Sequence, residues 1–176
     1  MRNQPIERIM TAPAWTIVAG RKLVAGRLGA YGFDGGQLTG RLASAGVQLS
    51  GYLGVGLAQG SNLYVSSSDV SPQGEYQPAQ SPLVAGLLGA WNSPHAEITA
   101  EYRREVDQTT DYFGSERVAA SATLRPYGAW SLVGGAIYDM AGASWGSADA
   151  ALRFATPKLG VVAGYRRYAP FYELWT

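Results

Sequence analysis

The segment from His95 to Asp107 constrains the fold more than any other stretch, because it alternates between two chemical faces. Its odd positions are His95, Glu97, Thr99, Glu101, Arg103, Glu105 and Asp107; its even positions run Ala96, Ile98, Ala100, Tyr102, Arg104 and Val106. Successive side chains on a strand point to opposite sides, so period two puts charges of both signs on one face and mostly apolar groups on the other. A helix would scatter those charges around its axis. Which face meets water decides what kind of sheet this strand belongs to.

The same pattern recurs. Val47, Leu49, Gly51, Leu53 and Val55 alternate with Gln48, Ser50, Tyr52, Gly54 and Gly56; Val118 to Leu124, Ala148 to Phe154 and Leu159 to Tyr165 alternate in the same way. Less regular strands are expected near Trp15–Arg21, Gln37–Ala43, Pro82–Trp91 and Ala129–Asp139. This gives eight to ten strands, depending on how Lys22–Ala45 divides, and no helical periodicity of useful length competes with them. All nine prolines fall outside the expected strand interiors, as an unbroken ladder requires.

Connections between the strands alternate in length. Tight turns are expected at Asn92-Ser93-Pro94, Pro126-Tyr127-Gly128 and Thr156-Pro157-Lys158, and longer polar ones over Gln59–Ser81, Gln108–Glu116 and Met140–Gly146. Short turns at one rim and longer loops at the other are the rhythm of an up-and-down barrel in a membrane. The expectation is an all-β fold, an antiparallel up-and-down transmembrane β-barrel of about 8–10 strands in one domain, residues 1–176. Residues 1–13 form an N-terminal segment and residues 59–81 a long loop, which is solvent-exposed, folds into the lumen or binds a partner outside.

Period two alone does not say which face is inside, and a soluble lipocalin-like barrel remains the alternative. Composition bears on the choice. Charged residues are 15% of the chain, against about 25% in an average soluble domain. Of 14 basic residues only Lys22 and Lys158 are lysine, an odd exterior for a soluble protein. The apolar face is built from Ala, Val, Leu and Ile, with few of the large aromatics that fill a soluble barrel core. Aromatics gather instead near strand ends, at Trp15, Trp91, Tyr112, Trp130, Tyr138, Trp145 and Tyr168, where interfacial girdles would lie. A net charge of +1 without a basic run argues against nucleic acid as a partner. With no cysteine there is no disulfide framework and no thiolate metal site. No run of about 18 apolar residues offers a transmembrane helix, and Met1–Arg8 lacks the apolar stretch of a secretory signal.

Two short motifs carry a family resemblance. Val18-Ala19-Gly20-Arg21, followed by Gly32-Phe33-Asp34-Gly35 at the start of a new strand, resembles a pattern in bacterial outer-membrane porins, including alginate-export-like barrels. Gly164-Tyr165-Arg166-Arg167-Tyr168 through Trp175 looks like an inner strand of such a barrel running on into a loop. The resemblance implies residence in the bacterial outer membrane, with the lipid bilayer as partner, and passive transport of small solutes through a channel. Family members are usually much longer and end on an aromatic residue. The chain is therefore expected to be a fragment of a larger barrel, or an unusual small one that forms a homo-oligomer.

The candidate selectivity residues are those sharing the charged face: Glu97, Glu101, Arg103, Glu105, Arg117, Arg125, Asp149, Arg153 and Arg166. Opposed charges across a lumen set up a transverse field that orders water and sorts solutes by charge and size. In a complete eight-strand barrel they would pair instead into a structural network, leaving a plugged anchor or scaffold. Signals for catalysis are weak. Ser93 and His95, the one histidine, sit at a tight turn without an orienting third group. Glu97 and Glu101 are about 13 Å apart by strand rise, too far for an acid/base pair. Gly51-Tyr52-Leu53-Gly54-Val55-Gly56 formally resembles a dinucleotide loop, but no helix follows it. No enzyme activity, cofactor or metal is expected.

Overall fold

The computed structural model describes residues 14–57, 82–106 and 113–168. They form a single nine-stranded antiparallel sheet in which sequence neighbours are always ladder neighbours. The strands are β1 (Ala14–Gly26), β2 (Gly29–Leu42), β3 (Val47–Gly56), β4 (Leu83–Asn92), β5 (Ala96–Val106), β6 (Phe113–Leu124), β7 (Trp130–Asp139), β8 (Ser144–Ala155) and β9 (Gly160–Tyr168). One 3-10 turn, Ala43–Ala45, links β2 to β3 and closes on Gly46, whose φ of 66° lies in the left-handed region. The up-and-down all-β architecture is as the alternation requires, and Lys22–Ala45 divides at Arg27-Leu28.

The sheet is not closed into a barrel. β1 and β9 are its two edges, and no ladder joins them. β9 is exposed along its whole length, as is β1 from Ala14 to Arg21. Two expected loops are also shorter than the sequence suggested. β6 already includes Ser115 and Glu116, and β8 begins at Ser144, leaving only residues 140–143 between β7 and β8. Both segments start with small polar groups that read as loop, yet their backbone pairs directly across the ladder: Ser115 opposes Glu105, and Ser144 opposes Asp139. The expected loop over 59–81 and the girdle residue Tyr112 lie outside the described residues.

Register fixes two faces of opposite character, because cross-strand partners share a side. One continuous row reads Thr39, Ser50, Leu88, Glu101, Ala119, Ile137, Ser147. The adjacent row, facing the other way, reads Leu38, Gly51, Leu87, Tyr102, Val118, Tyr138, Trp145. The second face lies bare: Ile17 is 80% exposed, Leu49 63% and Leu87 61%. The first is the inside of the curl, for the β1–β2 turn reaches across it to β8, where Arg27 pairs with Asp149. The sheet is thus convex and apolar outside, concave and polar inside.

Among the described residues the apolar core is small. Tyr31, Phe33, Tyr52 and Val84 cluster on the concave side of β2–β4, with Val24 and Leu88 against them. Phe33 stacks on Tyr52 at 5.0 Å between ring centroids. The convex face gathers its aromatics at both ends. Trp15, Trp91 and Trp130 lie toward the short-turn rim, and Tyr138 and Trp145 pack edge-to-face at 5.0 Å at the other. Tyr168, expected in the girdle, instead opposes Ser147 and so belongs to the concave side. The convex charges, Arg21, Asp34, Arg104, Glu116 and Arg167, all sit near the rim opposite that tryptophan row.

Candidate functional site

The site builds from a hairpin that outgrows its sheet. β1 and β2 stay paired from Ala14–Arg41 up to Gly26–Gly29, whereas β3 follows β2 only as far as Phe33. One further backbone bond, from the Leu57 amide to the Gly32 carbonyl at 2.9 Å, ends that pairing among the described residues, and the hairpin folds inward over the concave face. Two rows before the end of the β2–β3 ladder lies a register row of three glycines, Gly20, Gly35 and Gly54. Gly20 has a φ of +118°, which side-chain-bearing residues rarely adopt, and a Cβ on Gly54 would lie 2.5 Å from the Asp34 carbonyl oxygen.

This row joins two segments that the sequence singled out, Val18–Arg21 and Gly32–Gly35. They are register partners: Gly20 opposes Gly35, Arg21 opposes Asp34 and Lys22 opposes Phe33. Arg21 donates from Nε and Nη2 to the two Asp34 oxygens, both at 3.0 Å, and staples the convex side of the bend. Phe33, fully buried, packs the concave side. Glycine bends, the ion pair clamps and the phenylalanine fills.

The folded-in tip, Gly26-Arg27-Leu28-Gly29, docks on polar groups of three distant strands. Glu101 of β5 accepts the Arg27 amide at 2.5 Å on Oε1 and the Leu28 amide at 3.1 Å on Oε2. Both tip donors are thereby satisfied by one carboxylate, a strong arrangement for an anion. Arg103 Nη2 donates to the Leu28 carbonyl at 3.1 Å, and its guanidinium lies 4.7 Å above the Tyr31 ring. The Arg27 guanidinium bonds Asp149 of β8. Two glycines make room: a Cβ on Gly26 would collide with the Glu101 carboxylate, and one on Gly135 of β7 would come within 2.7 Å of Arg27. Beneath the tip is a cavity of about 310 Å³, walled by Gln48, Leu88, Thr99 and Ser121.

The ladders put eight of the nine expected selectivity residues on the concave face, and Arg125, just past the end of β6, reaches Glu97 of that face; the nine do not form one cluster. Glu101, Arg103, Glu105 and Asp149 gather under or beside the tip; Arg103 Nε lies 3.0 Å from Glu105 Oε1. Arg117 opposes Arg103 across the β5–β6 ladder and lies 4.0 Å from Asp139. Glu97 and Arg125 stand apart near the short-turn rim, 3.8 Å from each other and about half exposed. Arg166 opposes Asp149, and Arg153 lies exposed one turn of the pleat further toward the short-turn rim. Sequence reasoning missed Arg27 and Asp139. Arg27 sits in a Gly-Arg-Leu-Gly stretch that signals a turn, but nothing local says that the turn reaches back to β8. The hydroxyl of Ser93 is engaged in its own turn, accepting from the Ala96 amide at 3.0 Å and donating to the Ala96 carbonyl at 3.1 Å.

Among the described residues no group of His, Asp and Glu has the geometry to hold a metal ion. Among the described residues no helix is long and apolar enough to cross a membrane, which says nothing of strands. Searches against protein-family models, curated proteins and solved structures found no match for this chain.

Proposed function

We propose that this chain is a membrane-spanning β-sheet of the bacterial outer-membrane porin type, whose charged concave face lines a passage for small polar or charged solutes. The observation that carries the reading is the inversion of polarity between the faces. A Leu or Ile side chain left in water forgoes about 1.5–3 kcal/mol, and here the convex face leaves more than a dozen large apolar groups bare. Lipid removes that penalty, while the paired charges keep water on the concave side. Strands of 10–12 residues run about 33–40 Å, and tilted by about 40° they span roughly the 25 Å apolar band of such proteins. A carrier of apolar ligands needs an apolar interior, and the concave side offers only the cluster beneath the hairpin.

In lipid the free edges of β1 and β9 demand completion, since each unpaired backbone group there costs several kcal/mol. Both strands run toward the same rim, so a direct seam between them would be a parallel pair. A second copy or further strands would complete the barrel with the same logic. One observation favours a second reading, a non-conducting anchor or scaffold: the hairpin tip crosses the concave face.

Heat-modifiability tests the membrane reading. Folded in detergent, the unboiled protein should migrate faster on a gel than the boiled one, and folding should require the detergent. A chain that folds in plain buffer without the shift would overturn the proposal. Conductance in a planar bilayer then separates channel from anchor. Charge reversal at Arg103 or Arg153 should change ion selectivity while leaving the gel shift intact, and unchanged selectivity in both variants would remove them from the passage.

A further inference from the structure

We infer that the convex face carries a belt of arginines, Arg21, Arg104 and Arg167, that binds the phosphates of anionic lipid headgroups. The inference rests on the membrane reading above and names the lipid that one end of the sheet meets. Its first support is height. Counted from the short-turn end of each strand, Asp34 lies eight residues before Leu42 in β2, Arg104 eight after Ala96 in β5, and Glu116 eight before Leu124 in β6. Arg167 lies seven after Gly160 in β9, and Arg21 opposes Asp34 across the β1–β2 ladder. Strands spread over the whole sheet thus place their outward charges at one level. Below that level the outward positions are uncharged: Tyr102, Ala100 and Ile98 in β5, and Tyr165, Ala163 and Val161 in β9. Eight residues rise about 26 Å along a strand, or about 20 Å of height at a tilt of about 40°, near the edge of a ~25 Å apolar band.

The second support is the chemistry of the charges. All three cations are arginines, whose planar fork meets a phosphate with two parallel hydrogen bonds where a lysine offers a point charge. Two carboxylates, Asp34 and Glu116, share their level, so the belt carries one cation in excess. Asp34 takes two of the five N–H groups of Arg21, whose side chain is 73% exposed, and leaves the rest for a further acceptor. Glu116 faces Arg104 across the β5–β6 ladder and accepts the Tyr102 hydroxyl at 2.6 Å. Arg167 is exposed and opposes Ala148, and Glu116 lies three strands away from it, about 14 Å by strand spacing. Lipid phosphates are the acceptors that a membrane offers at this depth.

The third support is the contrast with the other rim. There the convex face ends on Trp15, Trp91 and Trp130, exposed rings that each offer a single donor. Among the described strand residues no convex position carries a charge at that level, and Glu97 pairs with Arg125 on the concave side at 3.8 Å. Arginines that served only to hydrate the ends of the strands would stand at both rims. Here they stand at one, so the two ends of the apolar band meet different lipid chemistry.

The test uses the full chain in vesicles of mixed phosphatidylcholine and phosphatidylglycerol, with bromine on the acyl chains of one lipid at a time. A fluorophore is placed on a cysteine introduced at Ala148, beside Arg167, or at Ala122, near the other rim. At Ala148 quenching should be about twofold stronger with bromine on phosphatidylglycerol, the anionic lipid, and at Ala122 equal for both. Arg167→Gln should remove the preference at Ala148, with folding checked by the gel shift. Should that variant not fold, Arg167→Lys, which keeps the charge and loses the fork, should weaken the preference. Equal quenching by both lipids at Ala148, or a preference that survives Arg167→Gln, would overturn the belt and leave the membrane reading standing. A preference abolished by inorganic phosphate at constant ionic strength would assign the arginines to the free anion and overturn the lipid partner. Quenching by neither lipid would overturn the membrane reading and the belt with it.

Discussion

At the scale of single residues, what distinguishes this sheet is where side chains are missing. β3 carries glycines on both faces, and the two faces treat them differently. On the concave face a Cβ at Gly54 would meet the Asp34 carbonyl at 2.5 Å and the Phe33 ring at 2.7 Å, so the backbone of β2 would have to shift. On the convex face a Cβ at Gly51 would meet the flexible end of Leu87 at 3.4 Å and the Gly86 carbonyl oxygen at 4.0 Å, both ordinary contacts. Gly54→Ala should therefore destabilise the folded protein by about 1–3 kcal/mol, the range for overpacking a close contact. Gly51→Ala should be neutral or slightly stabilising, because it relieves the entropy cost of glycine. Urea midpoints in detergent separate the two, and equal effects would show that the β2–β3 crossing is not tightly packed. The same residues mark a limit of sequence reading. Gly20, Arg21, Phe33 and Asp34 were visible as two motifs, but their being cross-strand partners depends on register, which no short motif contains.

At the scale of elements, the β1–β2 hairpin shares with β3 and β4 the apolar cluster found among the described residues. Phe33 is fully buried against Tyr52 and Val84. Phe154 is also an aromatic partner, 4.7 Å from Trp130, but on the convex face. Phe33→Ala should cost about 3–5 kcal/mol, as for a buried core aromatic. Phe154→Ala should cost far less in detergent, where the surrounding medium replaces the lost contacts. Denaturant unfolding with both variants in the same micelles gives the comparison; similar losses would mean that the convex side is packed against protein rather than solvated by detergent. Strand positions, the two faces and the order of turns were legible because each strand states its own alternation. The hairpin's inward fold was not, because alternation continues unbroken past the point where β3 stops: Val24 and Tyr31 look like any other strand pair. Loop lengths were overestimated for a related reason, since small polar residues such as Ser115 and Ser144 read as loop whether or not a ladder claims them.

At the scale of the whole molecule, the sheet inverts the arrangement of a soluble protein. Its concave side carries Glu101, Arg103 and Asp149, and its convex side carries Ile17, Leu49, Leu53, Leu87 and Leu152 in the open. The charged face was legible from β5 alone, and register extends it to Arg117 and Arg166. What the sequence withheld is the division of labour within that face, because Arg27 reaches Asp149 across 122 residues. Its convex charges, chiefly the Arg21–Asp34 staple, cluster toward one rim, leaving an apolar band below them.

The orientation of that band is tested most directly by asking which medium each face touches. The chain has no cysteine, so a fluorophore can be placed on cysteines introduced singly at Ala100 and Ala122 of the convex face and at Thr99 and Ser121 of the concave face. In lipid vesicles a convex face toward lipid predicts that labels at 100 and 122 are quenched by bromine on the acyl chains and spared by aqueous iodide, with labels at 99 and 121 showing the reverse. Iodide quenching at all four positions, or bromine quenching at 99 and 121, would contradict it.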